Sequence, residues 1–234
     1  MEPLEKMTER LWNILAESFP KILIPGLTMT LPLTVISFSI AMLIAIIAAF
    51  VQYAKVPAAS QLCRFYIWAI RGTPLLVQLF VIFYGLPGIG ITFEPFTAAV
   101  IAFSVNEGAY CAETVRAALE SIPAGQMEAG YCVGMSYMQI MRRIILPQAM
   151  RTAFPSLGNS LISMVKDTSL ASNITVLEMF MATRRVVSAT YEPLALYIEV
   201  GLVYLLFSTV LNALQRRGEK WLNASVGLEA KTRA

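Results

Sequence analysis

The sequence predicts an all-α polytopic membrane protein, and three observations carry that reading. Of 234 residues, 57% are hydrophobic and only 14% charged, against about 25% charged in soluble domains. The mean hydropathy is +0.64. The apolar residues run in long blocks rather than at amphipathic spacing, and the positive residues gather in alternate connections between those blocks.

About 20 apolar residues cross a bilayer core, and four blocks satisfy this. Ile22 to Val51 holds no charge, Phe65 to Leu86 only Arg71, Phe96 to Ala112 only Glu107, and Leu194 to Leu214 only Glu199. A fifth block, Ile144 to Val165, is interrupted by Arg151, Pro155, Ser156, Asn159 and Ser160. Polarity of that kind suits a helix facing a polar cavity rather than lipid. The expectation is about five transmembrane helices.

The charge pattern orients them. Lys55 and Arg64 sit between the first two spans, and Arg116, Arg142 and Arg143 between the third and fourth. Arg216, Arg217, Lys220, Lys231 and Arg233 follow the fifth, while Pro87 to Pro95 has no Lys or Arg. Positive residues collect on the cytoplasmic side, so the amino terminus is expected outside and the carboxyl tail inside. Arg184 and Arg185 dissent, and are assigned to a short external helix from about Val176 to Val187.

The first twenty residues lack the early apolar core and cleavage site of a secretory signal. Leu4, Leu11, Trp12, Leu15, Phe19 and Ile22 approximate one helical stripe. This predicts an amphipathic helix over 1–20 on the outer membrane surface; a polar extension of the first span is the alternative. The transmembrane domain then covers 21–218, with a large internal connection at about 121–147, and 219–234 form a cytoplasmic tail.

Several function classes are excluded. A net charge of +3 without a basic, aromatic-interleaved stripe gives no support for nucleic-acid binding. Three isolated cysteines (Cys63, Cys111, Cys132) and no histidine leave no zinc-ligand spacing. No Gly-x-x-x-x-Gly-Lys-[Ser/Thr] phosphate loop occurs, and Asp167 is the only aspartate, so neither ATP binding nor a hydrolytic triad or dyad is expected. A non-enzymatic membrane pathway without cofactor remains. A passive channel or structural assembly subunit is the remote alternative.

The internal connection is the most informative segment. A polar turn (Ser121, Pro123, Gly125, Gln126) leads into Glu128-Ala129-Gly130, Gly134 breaks the short helix before Met135, and Arg142-Arg143 precede Ile144-Ile145-Leu146-Pro147. Helix, glycine bend, second helix and basic flank suit an amphipathic knob able to dock into a cleft on another protein. An ordinary loop between spans is the other reading.

Candidate contact residues lie within the spans, where an ionisable group is a functional hypothesis by default. Arg71, with Pro74 and Gln78 expected on the same helical face, has the fork geometry to grip a carboxylate; pairing with an internal acid is the alternative. Asn106, Tyr110 and Glu113 step along one stripe of the third span, with Glu107 just off it. These carboxylates suit a substrate ammonium or an internal Arg71 or Arg116 pair. Ser160, Met164 and Asp167 share a face of the fourth span, and Lys166-Asp167 is either mutually satisfied or open to substrate.

The spacing Glu128-Ala129, then Gly134, then Ile144-x-Leu146-Pro147 resembles the coupling-loop signature of membrane subunits of ABC importers. Gly130 stands where that family usually has a second Ala. Arg71-Gly72-Thr73-Pro74-Leu75, Gly108-Ala109-Tyr110 with Glu113, and Lys166-Asp167-Thr168-Ser169-Leu170 resemble its polar amino-acid branch, so the likeness covers about residues 20–215. Phe83 to Pro87, Ser160 to Ala171 and Leu177 to Phe180 are most similar to permeases for L-cystine. The resemblance implies a type I importer permease fold in the bacterial cytoplasmic (inner) membrane, with Glu128, Ala129, Gly130, Gly134 and Met135 docking on an ABC ATPase dimer. It also implies a second permease subunit, identical or homologous, and an extracellular or periplasmic binding protein. Substrate contacts would come from Arg71, Gln78, Asn106, Glu107, Tyr110, Ser160 and Asp167, with Asp167 holding the α-ammonium. The uncharged Ser160 argues weakly against a dedicated arginine or lysine carrier; glutamine, glutamate or a basic amino acid is the alternative cargo.

Overall fold

A chain in hydrocarbon must satisfy its backbone hydrogen bonds internally, and helices do so segment by segment. In the computed structural model, which describes residues 4–232 and the side chains of 6–224, a helix occupies each of the five apolar blocks. Met1 to Pro3 of the amino-terminal segment and Arg233 of the basic tail lie outside the described residues, as does the side chain of Lys231.

The first helix is longer than expected. α1 (Leu4–Pro25) passes through a π-helical turn (Gly26–Thr30) into α2 (Leu31–Tyr53). Pro25 and Pro32 lack the N–H for the ordinary ladder, and the wider turn lies between them. Residues 1–20 were expected as a separate helix lying on the outer surface. In the structure α1 is continuous with α2 in one long helix, Lys6–Tyr53.

The second apolar block is not one span. α3 (Ala59–Arg71) and the helical segment from α4 (Leu75–Phe80) through Ile89 meet at 101°. The break falls at Gly72-Thr73-Pro74, because Pro removes a donor and pushes its predecessor out of helical geometry. Thr73 Oγ1 donates to the Ala69 carbonyl at 3.0 Å and closes the end of α3. α5 (Pro95–Glu120), the short α6 (Ala124–Cys132) and α7 (Tyr137–Ile140), and α8 (Leu146–Asp167) follow. A 3-10 turn (Thr168–Ile174), α9 (Met179–Thr190) and α10 (Pro193–Thr232) complete the chain.

Length and apolarity alone qualify two of these for crossing a membrane, Lys6–Tyr53 and Pro193–Ala224, or three if the bent pair is one span. α5 and α8 have the length but carry polar residues such as Asn106, Glu107, Asn159 and Ser160.

The chain forms two compact units. The first comprises the chain up to Ser37, Leu75–Ala102 and Ile162–Val210. Here α1 runs parallel to α10: Arg10 meets Glu192 at 3.6 Å, and Ser18 meets Glu199 at 2.5 Å. Ile22, Met179, Val200 and Val203 form its buried cluster. Glu178, fully buried, caps α9 by accepting from the Phe180 and Met181 N–H groups at 2.8 and 2.7 Å, and the Tyr204 hydroxyl donates to it at 2.8 Å.

The second unit comprises Phe38–Pro74, Phe103–Leu161 and the chain from Leu211 on. Its core is rich in small residues (Ala45, Ala48, Ala109, Cys111, Ala112) around Ile67, Leu119, Ile140 and Ile145, which lets helices approach closely. The Tyr66 hydroxyl donates to the Val105 carbonyl at 2.6 Å and ties α3 to α5. Gln215 Nε2 ties α10 to α8 by donating to the Pro155 carbonyl at 3.0 Å.

Gly26 tests the packing of the first unit, since a Cβ there would stand 2.7 Å from Met179 Sδ and 3.2 Å from Phe207. Gly26→Leu is expected to lower the thermal unfolding midpoint in detergent, with an overpacking cost of about 1–3 kcal/mol. An unchanged midpoint would contradict this packing.

Candidate functional site

The polar residues singled out from sequence divide between the two units. Arg71, Asn106, Glu107, Tyr110 and Ser160 belong to the second, Gln78 and Asp167 to the first. The break after α3 overturns one expectation: Arg71 ends α3 whereas Gln78 lies within α4, so Arg71, Pro74 and Gln78 do not share a helical face.

Arg71 finds its neighbours on α5 instead. Its guanidinium carbon lies 5.1 Å from the centre of the Tyr110 ring, within the range of a cation–π contact. The side chain is exposed, so the fork remains accessible to a further carboxylate. Its charge also reaches Glu113, one turn beyond Tyr110.

Glu113 is engaged mainly by Arg116, which donates through Nη2 to Oε1 and through Nε to Oε2 at 3.3 Å. Arg116 Nη1 bonds Glu120 Oε2 at 2.5 Å. These groups follow the apolar stretch that ends at Ala112. The hydrogen bond from Arg116 holds the Glu113 carboxyl below its ordinary range, against desolvation, with the charges of Arg116 and Arg71 adding to the effect.

Glu107 turns the other way. It is half-buried, and the Cys111 thiol donates to its Oε1 at 3.4 Å. Ser160 of α8 also lies close to Cys111. Cys111, read from sequence as a small buried thiol, is thus the link between two candidate contact residues. The signal was present in the Glu107–Cys111 spacing of four, which stacks side chains along one helix face. Asn106 is buried.

Asp167 ends α8, half-buried, two turns beyond Ser160. No ion pair closes between Lys166 and Asp167 among the described residues, although the Lys166 charge reaches the Asp167 carboxylate.

The connection 121–147 folds as a helical hairpin. α6 begins at Ala124, earlier than Glu128, and ends in a left-handed Gly134 with φ of 77°. The Met135 N–H returns to the Gly130 carbonyl at 3.0 Å and the Gly134 N–H to Tyr131 at 2.9 Å, the Schellman pattern that favours glycine. Ser136 then caps α7 in a capping box with Gln139. A Cβ on Gly130 would sit 2.6 Å from Ile140 Cγ1, so the absence of a methyl group sets how closely α6 and α7 approach. Glu128, Ala129 and Gly134 are exposed and Met135 half-buried. Val133 and Met138, 75% and 69% exposed, present an apolar surface beside them.

The chain as a whole is similar to known proteins. The family described as "Binding-protein-dependent transport system inner membrane component" matches residues 41–223. The L-cystine transport system permease protein TcyB of Bacillus subtilis (strain 168) is 44% identical over 216 residues, covering 90% of this chain and 92% of that protein. The nopaline transport system permease protein NocM of Agrobacterium fabrum (strain C58 / ATCC 33970) is 38% identical over 221 residues, covering 90% and 91%. A crystal structure of an amino acid ABC transporter with histidines superposes with a TM-score of 0.80 at 32% identity, covering 94% of this chain and 99% of that one. An inward-facing MetNI methionine ABC transporter shares the fold, with a TM-score of 0.73 at 19% identity over 86% and 96% of the two chains.

The Glu113–Arg116 pair makes the carboxyl-terminal part of α5 acid-sensitive. A carboxyl with a lowered folded pKa stabilises above its unfolded value, about 4.3, and loses that contribution as pH falls through the folded value. The thermal midpoint of the wild type is expected to approach that of Glu113→Gln as pH falls below about 4.3. A constant gap between the two across an acid scan would remove the pair from the stability of this end.

Proposed function

The chain belongs to the binding-protein-dependent transport system inner membrane components, a permease of an amino-acid ABC importer, and on that premise we propose that its cargo is L-cystine. The similarity to the L-cystine permease along 90% of the chain is the observation that carries this reading. The similarity to the nopaline permease favours a second reading, in which another polar amino acid, such as glutamine, glutamate or a basic one, is carried by the same machine.

In this proposal the Arg71 fork takes a substrate carboxylate, since it is exposed and already oriented on the Tyr110 ring. Asn106, Tyr110 and the Cys111-held Glu107 supply further polar contacts on α5. Ser160 offers an uncharged hydroxyl to the substrate side chain. Gln78 and Asp167 are proposed as additional contacts, Asp167 as acceptor for an α-ammonium.

Energy comes from outside the chain, through an ABC ATPase dimer engaged by Glu128, Ala129, Gly130, Gly134 and Met135. The exposed Val133 and Met138 beside them suit burial in a partner's cleft. Two permease subunits, identical or homologous, would enclose the pathway, and closure of the ATPase dimer would rock them between inward and outward states. A periplasmic or extracellular binding protein would deliver the cargo, with the amino terminus outside and the carboxyl tail in the cytoplasm.

Replacing Gly134 by Trp should uncouple the hairpin, since a side chain is strained at that left-handed φ. Cystine uptake in proteoliposomes holding the assembled importer is expected to fall about tenfold, or about 1.4 kcal/mol of coupling, with membrane insertion unchanged. Full transport by Gly134→Trp would refute the docking role. For the cargo, labelled cystine uptake should depend on this gene and yield to unlabelled cystine but not to glutamine, arginine or nopaline. Loss of a different amino acid's uptake on gene deletion would leave the importer in place and overturn the cystine assignment.

A further inference from the structure

A carboxylate outside the proposed substrate contacts lies in an apolar groove between α1 and the start of α10. Glu199 is 9% exposed within Pro193–Ala224, an apolar helix long enough to cross a membrane. Its Oε2 accepts a hydrogen bond from Ser18 at 2.5 Å. No Lys or Arg among the described residues forms an ion pair with it. Arg10 and Lys21, the cations of α1 to either side of Ser18, are already engaged by Glu192 and Glu17 at 3.6 and 3.9 Å.

The groove beside it has a volume of about 300 Å³, and Glu199 is the only charged group in a lining that includes Leu15, Phe19, Ile198, Leu202 and Leu206. Ile198, Leu202 and Leu206 are exposed. From Glu199 to Leu206 the groove follows α10 for about 10 Å, and Glu199 itself lies about 9 Å along the helix from Pro193. Glu199 therefore lies nearer the amino-terminal end of this apolar helix, and Leu202 and Leu206 deeper along it.

An ionised carboxylate in such surroundings costs several kcal/mol unless a cation meets it. A single hydroxyl donor supplies one hydrogen bond and no charge. We propose that this groove binds a phospholipid whose headgroup carries a primary ammonium, with the ammonium on Glu199 and one acyl chain along Leu202 and Leu206. The ammonium has three N–H donors for the carboxylate and the lipid's own phosphate. A quaternary ammonium has none, and an anionic headgroup is repelled, so the site selects by headgroup while the groove holds the chain.

The test is lipid retention by the full-length chain, measured by native mass spectrometry after titration with dioleoyl phosphatidylethanolamine, phosphatidylcholine or phosphatidylglycerol in mixed micelles. Wild type is expected to retain phosphatidylethanolamine about tenfold better than the other two. Glu199→Gln keeps a partner for Ser18 but loses the charge, and should erase the preference. Leu202→Trp fills the groove without touching the carboxylate, and should reduce retention of all three lipids. Equal retention of the three lipids by wild type, or a preference that survives Glu199→Gln, would overturn the proposal. So would disulfide cross-linking of two copies through Ile198→Cys in ethanolamine-lipid bilayers, which would make a second chain the occupant.

Discussion

The apolar helices of this protein answer to one constraint: a polar group held in an apolar medium must be satisfied by the protein itself. The backbone meets it by folding as helix wherever the chain is apolar, with π-helical or 3-10 turns where proline or packing disturbs the ladder. The side chains meet it by local pairing. Glu178 is closed by two backbone N–H groups and Tyr204, Tyr66 by the Val105 carbonyl, and Glu113 by Arg116. The Glu178 contacts cap α9 and tie it to α10, and Tyr66 ties α3 to α5, so these polar groups join the apolar helices, while Glu113 and Arg116 pair within α5.

The hairpin between α5 and α8 follows a different logic, because it is exposed. Its shape rests on two glycines with separate roles. Gly130 gives room for Ile140, and Gly134 supplies the left-handed residue that returns Met135 to Gly130. Loss of the methyl group at position 130 costs roughly 1 kcal/mol of helix propensity, but it permits α6 and α7 to lie close together.

The candidate contact residues were legible as residue types but not as a constellation. Asn106, Tyr110 and Glu113 were recognisable as one stripe because α5 is an uninterrupted helix, and their spacing fixes their face. Arg71 and Gln78 were misread together, since periodicity was carried straight through Gly72-Thr73-Pro74, where the chain turns by 101°. The role of Cys111 was half legible. Its spacing of four from Glu107 places the two on one helix face, but its approach to Ser160 depends on how α5 meets α8.

The sequence by itself determined the helical class, the positions of the apolar blocks, the hairpin with its glycine bend and the family, because hydrophobic blocks, turn residues and motif spacing are local properties of the chain. Tertiary structure alone decided that α1, from Leu4, runs alongside α10, since the Arg10–Glu192 and Ser18–Glu199 contacts that align the two join residues far apart in sequence. It decided likewise that Arg71 lies over Tyr110 rather than beside Gln78. Such pairings depend on how helices meet, and a hydropathy pattern records only which face is apolar, not which neighbour it meets.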